Sequence, residues 1–172
     1  VKRSYLVQEG LNLIRYQNRP IDFRILVQKD AQGKWATTSM VARIANDRHI
    51  VSNLAQGGTQ STVMETIRLA DPALAKRITR KQFREYALAI AKHLESTIDG
   101  NFAEFGIDLG LDTNGRLWLL EVNAKPSKTG DAKPNEPRPS VNQLIQYVLH
   151  VSRYKVKKKK QKKSAHRSGE NR

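Results

Sequence analysis

The chain has no cysteine, few aromatic residues (four Phe, five Tyr and two Trp in 172 residues), and 16 acidic side chains against 31 basic ones. Without cysteine there are no disulfide staples, thiolate nucleophiles, iron–sulfur clusters or cysteine zinc sites. Long hydrophobic runs are missing too: stretches such as Leu117–Leu120 fall far short of the roughly 18 residues that span a bilayer. No apolar segment follows Lys2 and Arg3 as a secretory signal requires. These absences make a cytoplasmic, reducing compartment the expectation. Val1, not Met, opens the chain inside strand-like sequence, which reads as a fragment or trimmed product. The length predicts one domain, or one and a small piece, burying about 70% of its extended surface.

Positive charge is abundant and unevenly placed. Of the net +15, Arg153–Arg172 carries +9 through ten Lys/Arg and one Glu, leaving +6 for residues 1–152. Lys155–Lys163 has almost nothing to bury, so it cannot offset an ordering entropy of roughly 1–2 kcal/mol per residue. A folded body over 1–152 and a disordered Lys-rich tail over 153–172 are expected. The tail reads either as a solvated, self-repelling aid to solubility or as a tether to polyanions. No aromatics interleave Lys155–Lys163, which argues against base stacking.

Within the body, Tyr5–Gln8 is β-prone and Gln17–Pro20 is turn chemistry. Ile21–Gln28 alternates, with Ile21, Phe23, Ile25 and Val27 on one face and Asp22 and Arg24 on the other. Asp30–Gly33 breaks that strand before a second β-like stretch, Trp35–Ala45, which carries Arg43. His49–Leu54 reads as another short strand entering a flexible Gln56–Thr59 loop. Thr79 and Gln82 have capping-box spacing, with Phe83, Ala87, Ile90 and Leu94 along one helix face. Ser140 and Gln143 repeat the spacing beside Val141, Leu144, Ile145 and Val148. Both stripes read as core. Between the helices, Phe102–Asp112 and Arg116–Asn123 form a hairpin across Asp112–Gly115, followed by a long Ala124–Pro139 loop.

The hairpin holds the residues with chemistry. A tight turn at Thr113-Asn114 puts Asp108 opposite Leu119 and Gly106 opposite Glu121, with Asp108, Glu121 and Asn123 on one face. Asp108 and Glu121 are then diagonal neighbours at the rim of a face shared with Leu117 and Leu119; a bulged turn at Gly115 shifts that register. Two ionised carboxylates 4 Å apart repel by about 4 kcal/mol at an effective dielectric of 20, so such a pair needs a cation, a shared proton or a basic partner. Two carboxylates and an amide oxygen form a hard-oxygen set suited to Mg²⁺ or Mn²⁺. Surface carboxylates on a solvated sheet are the competing reading. Other chemistries find little support: there is no Gly-x-Gly-x-x-Gly, no Walker lysine, no serine elbow and no His pair at metal spacing.

Asp108, then Glu121-Val-Asn123 thirteen residues on, within Gly106–Pro126, resembles the metal-binding end of an ATP-grasp enzyme. Tyr5–Leu11 resembles the hinge strand of that superfamily. Asp22–Arg24, Ala42–Ala45 and Asn53–Gly58 resemble the arginine- and glycine-bearing elements that close over phosphates. Within the superfamily, Arg19–Gln28, Gly33–Trp35, Asn53–Gly58 and Phe105–Lys128 resemble the YheC/YheD endospore coat-associated family, over about residues 4–150.

The resemblance implies an α+β fold, the C-terminal portion of an ATP-grasp domain, with a mainly antiparallel sheet and flanking helices. It implies ATP and Mg²⁺ (or Mn²⁺) as cofactors, with Asp108, Glu121 and Asn123 as metal ligands. Arg24 and Arg43 become the catalytic cations over the transferring phosphoryl group, although a surface salt bridge accounts for each equally well. Gln8, Glu9, Gly10 and Leu11 would meet adenine, and Asn53, Gly57 and Gly58 would let backbone approach phosphate or substrate. Lys125 is a minor candidate for meeting the acceptor. The nucleotide-gripping first half of the superfamily fold has no counterpart here and is expected upstream of Val1. The implied activity is ATP-dependent carboxylate–amine (or related) ligation through an acylphosphate, on an unidentified carboxylate and nucleophile. The alternatives are a non-catalytic structural component of the spore coat, meeting other coat proteins, or polyanion binding through Lys155–Arg172.

Overall fold

The protein is described by a computed structural model covering residues 8–45, 59–126 and 138–152. Five strands form an antiparallel sheet in the order β4-β3-β2-β5-β6: β2 (Arg19–Lys29), β3 (Trp35–Ile44), β4 (Thr59–Ser61), β5 (Glu104–Leu111) and β6 (Leu117–Asn123). A two-residue strand, β1 (Arg15–Tyr16), pairs with the start of β2. The β1–β2 turn uses Gln17 and Asn18, both at positive φ, 49° and 62°, a primed turn whose twist suits a hairpin.

Two longer hairpins share one local design. In each, an aspartate opens a turn closed by a left-handed glycine: Asp30 with Gly33 (φ 76°), and Asp112 with Gly115 (φ 86°). Asp30 Oδ1 accepts from the amides of Gln32 and Lys34, and Asp112 Oδ1 from those of Asn114 and Arg116. Asp112 Oδ2 also accepts from Trp118 Nε1 at 2.9 Å. Burial by itself pushes the Asp112 carboxyl up, but these bonds and the nearby Arg116 charge outweigh it and hold its pKa below the ordinary value.

Alternation then sorts the sheet into two faces. Ile21, Phe23, Ile25 and Val27 of β2 join Ala42 and Ile44 of β3 and Phe105, Ile107, Leu109 and Leu111 of β5 in one core. Helices α1 (Val63–Ala70) and α3 (Arg80–Thr97) supply its other wall, through Val63 and Ile67 and through Phe83, Ala87 and Ala91, with the short α2 (Pro72–Ala75) adding Leu74. Phe83 meets Phe23 edge-on, with ring centroids 4.9 Å apart. The capping box of Thr79 and Gln82 opens α3 as expected.

Other expectations are revised. Helices α1 and α2 had no place in the sequence reading, although Thr62 with Glu65 and Asp71 before Pro72 are start signals; both caps form. Thr59 opens β4 and does not belong to the preceding loop. The last helix, α4 (139–152), begins two residues earlier than Ser140 capping requires: Asn142 donates to the Arg138 carbonyl, and Pro139 takes the first position. Its apolar stripe is not core, since Val141, Ile145 and Val148 are 39%, 50% and 57% exposed. The expected strand His49–Leu54, the tail over 153–172 and most of the Ala124–Pro139 loop lie outside the described residues.

A candidate metal and phosphate site on the polar sheet face

The face of the sheet turned away from the core carries the polar residues. On β2 these are Asp22 and Arg24; Asp22 is paired with Arg43 of β3, and Arg24 with Asp108 of β5. Strand pairing alone therefore brings four charged groups together. The Arg24 guanidinium bonds Asp108 through both Nε and Nη2, the latter at 2.7 Å from Oδ2. Arg43 Nη2 approaches the same Oδ2 at 3.0 Å, while its Nε donates to Asp22 Oδ1 at 2.5 Å. Asp108 is 4% exposed. Burial alone favours loss of the Arg43 proton, but the bonds and charges of Asp22 and Asp108 outweigh it and raise the pKa further.

The hairpin register differs from the tight-turn expectation. The turn is the bulged one at Gly115, which pairs Leu111 with Leu117 and Leu109 with Leu119. Leu120 then forms a second irregularity, beyond which Asp108 lies directly opposite Glu121 and Gly106 opposite Asn123. This extra residue corrects two points. Asp108 and Glu121 are direct cross-strand partners and not diagonal ones. Leu117 and Leu119 pair with core-facing residues and do not share the face of Glu121 and Asn123. An unbroken alternation would have forced leucines and acids to one side.

Glu121 is exposed and, among the described residues, makes no ion pair. Asn123 is partly buried, and its Nδ2 is buried without a hydrogen-bond partner. A methyl at Gly106 would lie 2.6 Å from Pro126 Cβ and 3.4 Å from Arg24 Cδ, so glycine here lets the chain after β6 pass over the site beside Arg24. Gly106, Pro126 and the anchoring role of Asp22 were missed in the sequence. The signal for Asp22 was its alternation with Arg24 opposite an arginine-bearing strand; nothing local signalled the Gly106–Pro126 contact.

As a cation site, the group fits in donor chemistry. Two carboxylates meet across one strand pair, and the Asn123 amide, whose oxygen is the candidate ligand atom, lies on the same face. Asp108 spends both oxygens on guanidiniums, and among the described residues no three His, Asp or Glu side chains form a metal cluster. Asp108, Glu121 and Asn123 with Arg24 and Arg43 thus share one face as expected. Gln8, Glu9 and Gly10 are exposed in irregular chain and Leu11 is partly buried; among the described residues none bonds to Arg24, Arg43 or Asp108. Asn53, Gly57 and Gly58 lie outside the described residues. Lys125 is exposed beside Pro126.

Comparison with known proteins gives this arrangement its family. Residues 1–151 match the YheC/D-like ATP-grasp family. The chain belongs to that family. It is 34% identical over 132 residues to the endospore coat-associated protein YheD of Bacillus subtilis (strain 168), covering 77% of this chain and 28% of YheD. It is 24% identical over 128 residues to YheC of the same organism, covering 74% of this chain and 35% of YheC. The chain thus spans about a third or less of either relative. Among solved structures, the C-terminal domain of K. lactis Pby1, an ATP-grasp enzyme interacting with the mRNA decapping enzyme Dcp2, shares 17% identity at a TM-score of 0.46, over 82% of this chain and 44% of that one. The antiparallel sheet with flanking helices is the ATP-grasp family's α+β architecture as this chain presents it. Among the described residues, no helix is long and apolar enough to cross a membrane.

Proposed function

We propose that this chain is the C-terminal, metal- and phosphate-handling portion of an ATP-grasp domain, in a protein that acts as an ATP-dependent carboxylate–amine or related ligase through an acylphosphate. The observation that carries the proposal is the joining of Arg24, Arg43, Asp108, Glu121 and Asn123 on the sheet face turned away from the core. Asp108, Glu121 and Asn123 would hold Mg²⁺, or Mn²⁺ in its place. The bound cation supplies charge neutralisation at phosphate oxygens.

Arg24 and Arg43 supply fixed positive charge beside it. Their planar guanidiniums would orient and stabilise anionic oxygen through charge and hydrogen bonds. Asp22 keeps Arg43 aimed at this face when Asp108 turns to a cation. Gln8–Leu11 would meet adenine, and Asn53, Gly57 and Gly58 would approach phosphate or substrate. The carboxylate and nucleophile substrates are unassigned.

The test is calorimetric titration of the full-length protein with ATP, with and without Mg²⁺, beside Glu121→Ala. Mg-dependent binding lost in the variant supports the proposal; equal binding by both sinks the metal site.

A second reading is a structural role in the spore coat, in keeping with the relatives' description as endospore coat-associated. It is favoured by the complete pairing of Asp108 with two arginines, which stabilises the sheet without any cation. Coat association that survives replacement of Asp108, Glu121 and Asn123 together supports it. Lys155–Arg172 would tether polyanions in either case; deletion of that tail should then abolish salt-sensitive binding.

A further inference from the structure

A second cationic site lies on the other face of the sheet. Thr37 and Met40 of β3 pair with the core-facing Val27 and Ile25, so they project to the helix side, away from Arg24 and Asp108. With Arg80, Lys81 and Arg84 of α3 they line a cleft of about 390 Å³. Small-molecule sites run from roughly 300 to 1,000 Å³, so the cleft suits a compact ligand. Lys76, Arg77, Arg80, Lys81 and Arg84 fall within nine residues that contain no acid, against a net charge of +6 for all of residues 1–152.

The cations here work against the helix that carries them. Arg80 and Arg84 are four residues apart, a spacing at which like charges repel along a helix face. Arg80 and Lys81 stand in the first turn, where the backbone dipole disfavours positive charge, and that turn has no acidic residue. Lys81 reaches only Glu85, at 3.7 Å and in solvent. Among the described residues, Arg80 and Arg84 have neither an ion pair nor a hydrogen-bond partner. In the β3 wall, Thr37 Oγ1 is buried and likewise without a partner.

Two backbone donors at this helix end are already used, since the Gln82 amide bonds Thr79 Oγ1 and the Thr79 amide bonds the Gln82 side chain. The side chains lining the cleft offer a ligand guanidinium, ammonium and hydroxyl groups. Two guanidiniums and an ammonium within two helical turns match a ligand of several negative charges, and planar forks match phosphate oxygens.

We propose that the cleft between β3 and α3 binds a compact phosphate-bearing small molecule, with Arg80 and Arg84 as its principal donors, independently of the site at Arg24 and Asp108. The arginines are exposed, so their replacement leaves the core of α3 (Phe83, Ala87 and Ala91) intact. The test is an NMR titration of the protein with inorganic tripolyphosphate, following backbone amides. Saturable shifts are expected at Thr37, Met40, Arg80 and Arg84, with affinity about tenfold weaker in R80Q/R84Q and unchanged in K92Q, an exposed change on the same helix. Thr37→Val should weaken binding by a smaller factor. Unaltered affinity in R80Q/R84Q, shifts confined to the Arg24 face or to 153–172, or no saturable shift in the wild type would each overturn the proposal.

Discussion

Arg24 and Asp108 meet side by side across the two central strands, β2 and β5, with two guanidinium nitrogens on the two carboxylate oxygens. The side chain of Asp108 is 5% exposed and that of Arg24 18%, so the pair is largely withdrawn from water. Removing one partner of such a pair is far more harmful than the pair is stabilising, because the other charge stays buried. Asp108→Ala should therefore lower stability by about 3–5 kcal/mol, whereas exposed Glu121→Ala should stay within about 0.5 kcal/mol of wild type. Urea unfolding at neutral pH measures both. Equal losses would mean that the two carboxylates do not divide between a structural and an exposed ligand role.

The same pair competes with a cation for Asp108. Arg24→Gln removes one competitor while Arg43 and Asp22 remain, so the variant should bind Mn²⁺ alone more tightly than wild type. It should bind nucleotide more weakly, because phosphate loses a guanidinium. Electron paramagnetic resonance of Mn²⁺ and a nucleotide titration report the two changes separately. Weaker Mn²⁺ binding in Arg24→Gln would show that the arginine does not compete for Asp108.

Gly106→Ala should disturb both stability and site. The new methyl would meet Pro126 Cβ at 2.6 Å and press on the Arg24 stem at 3.4 Å, so either the Pro126 segment or Arg24 must move. Overpacking of this kind costs about 1–3 kcal/mol. Thermal unfolding checks the loss.

Asp112 gives the fold an acid-sensitive point. Its pKa is held below the ordinary value of 3.8, so its contribution is fully present above that pH and disappears as pH falls through the lower, folded-state value. Asp112→Ala should be less stable than wild type by about 1–3 kcal/mol at neutral pH. That gap should narrow as pH drops below 3.8. Parallel denaturation curves from pH 7 to pH 2 would contradict this.

Much of this architecture was legible along the chain, and the gaps have physical causes. The alternation of Ile21, Phe23, Ile25 and Val27 encodes both β2 and its two faces, which is why Arg24 and Asp22 could be assigned to the polar side. Asp112 and Gly115 encode their turn. Leu120 is apolar like its neighbours, so the sequence carried no sign that one residue there would be left out of the pairing and bring Asp108 opposite Glu121. Helix α4 shows the opposite failure: Val141, Ile145 and Val148 have core periodicity, yet periodicity records which residues share a face and not what covers it. The α1 cap went unread although Thr62 and Glu65 spell it, because the helix is only 8 residues long and its apolar pattern is correspondingly short.

The central claim is that Glu121 and Asn123 join Asp108 in holding a divalent cation. Its most direct measurement is Mn²⁺ binding by electron paramagnetic resonance in the full-length protein with ATP present, comparing wild type, Glu121→Gln and Asn123→Ala. Because Glu121 is exposed and unpaired among the described residues, its variant should keep the wild-type melting temperature while Mn²⁺ affinity falls about tenfold or more. Wild-type Mn²⁺ affinity in Glu121→Gln, at an unchanged melting temperature, would contradict the account.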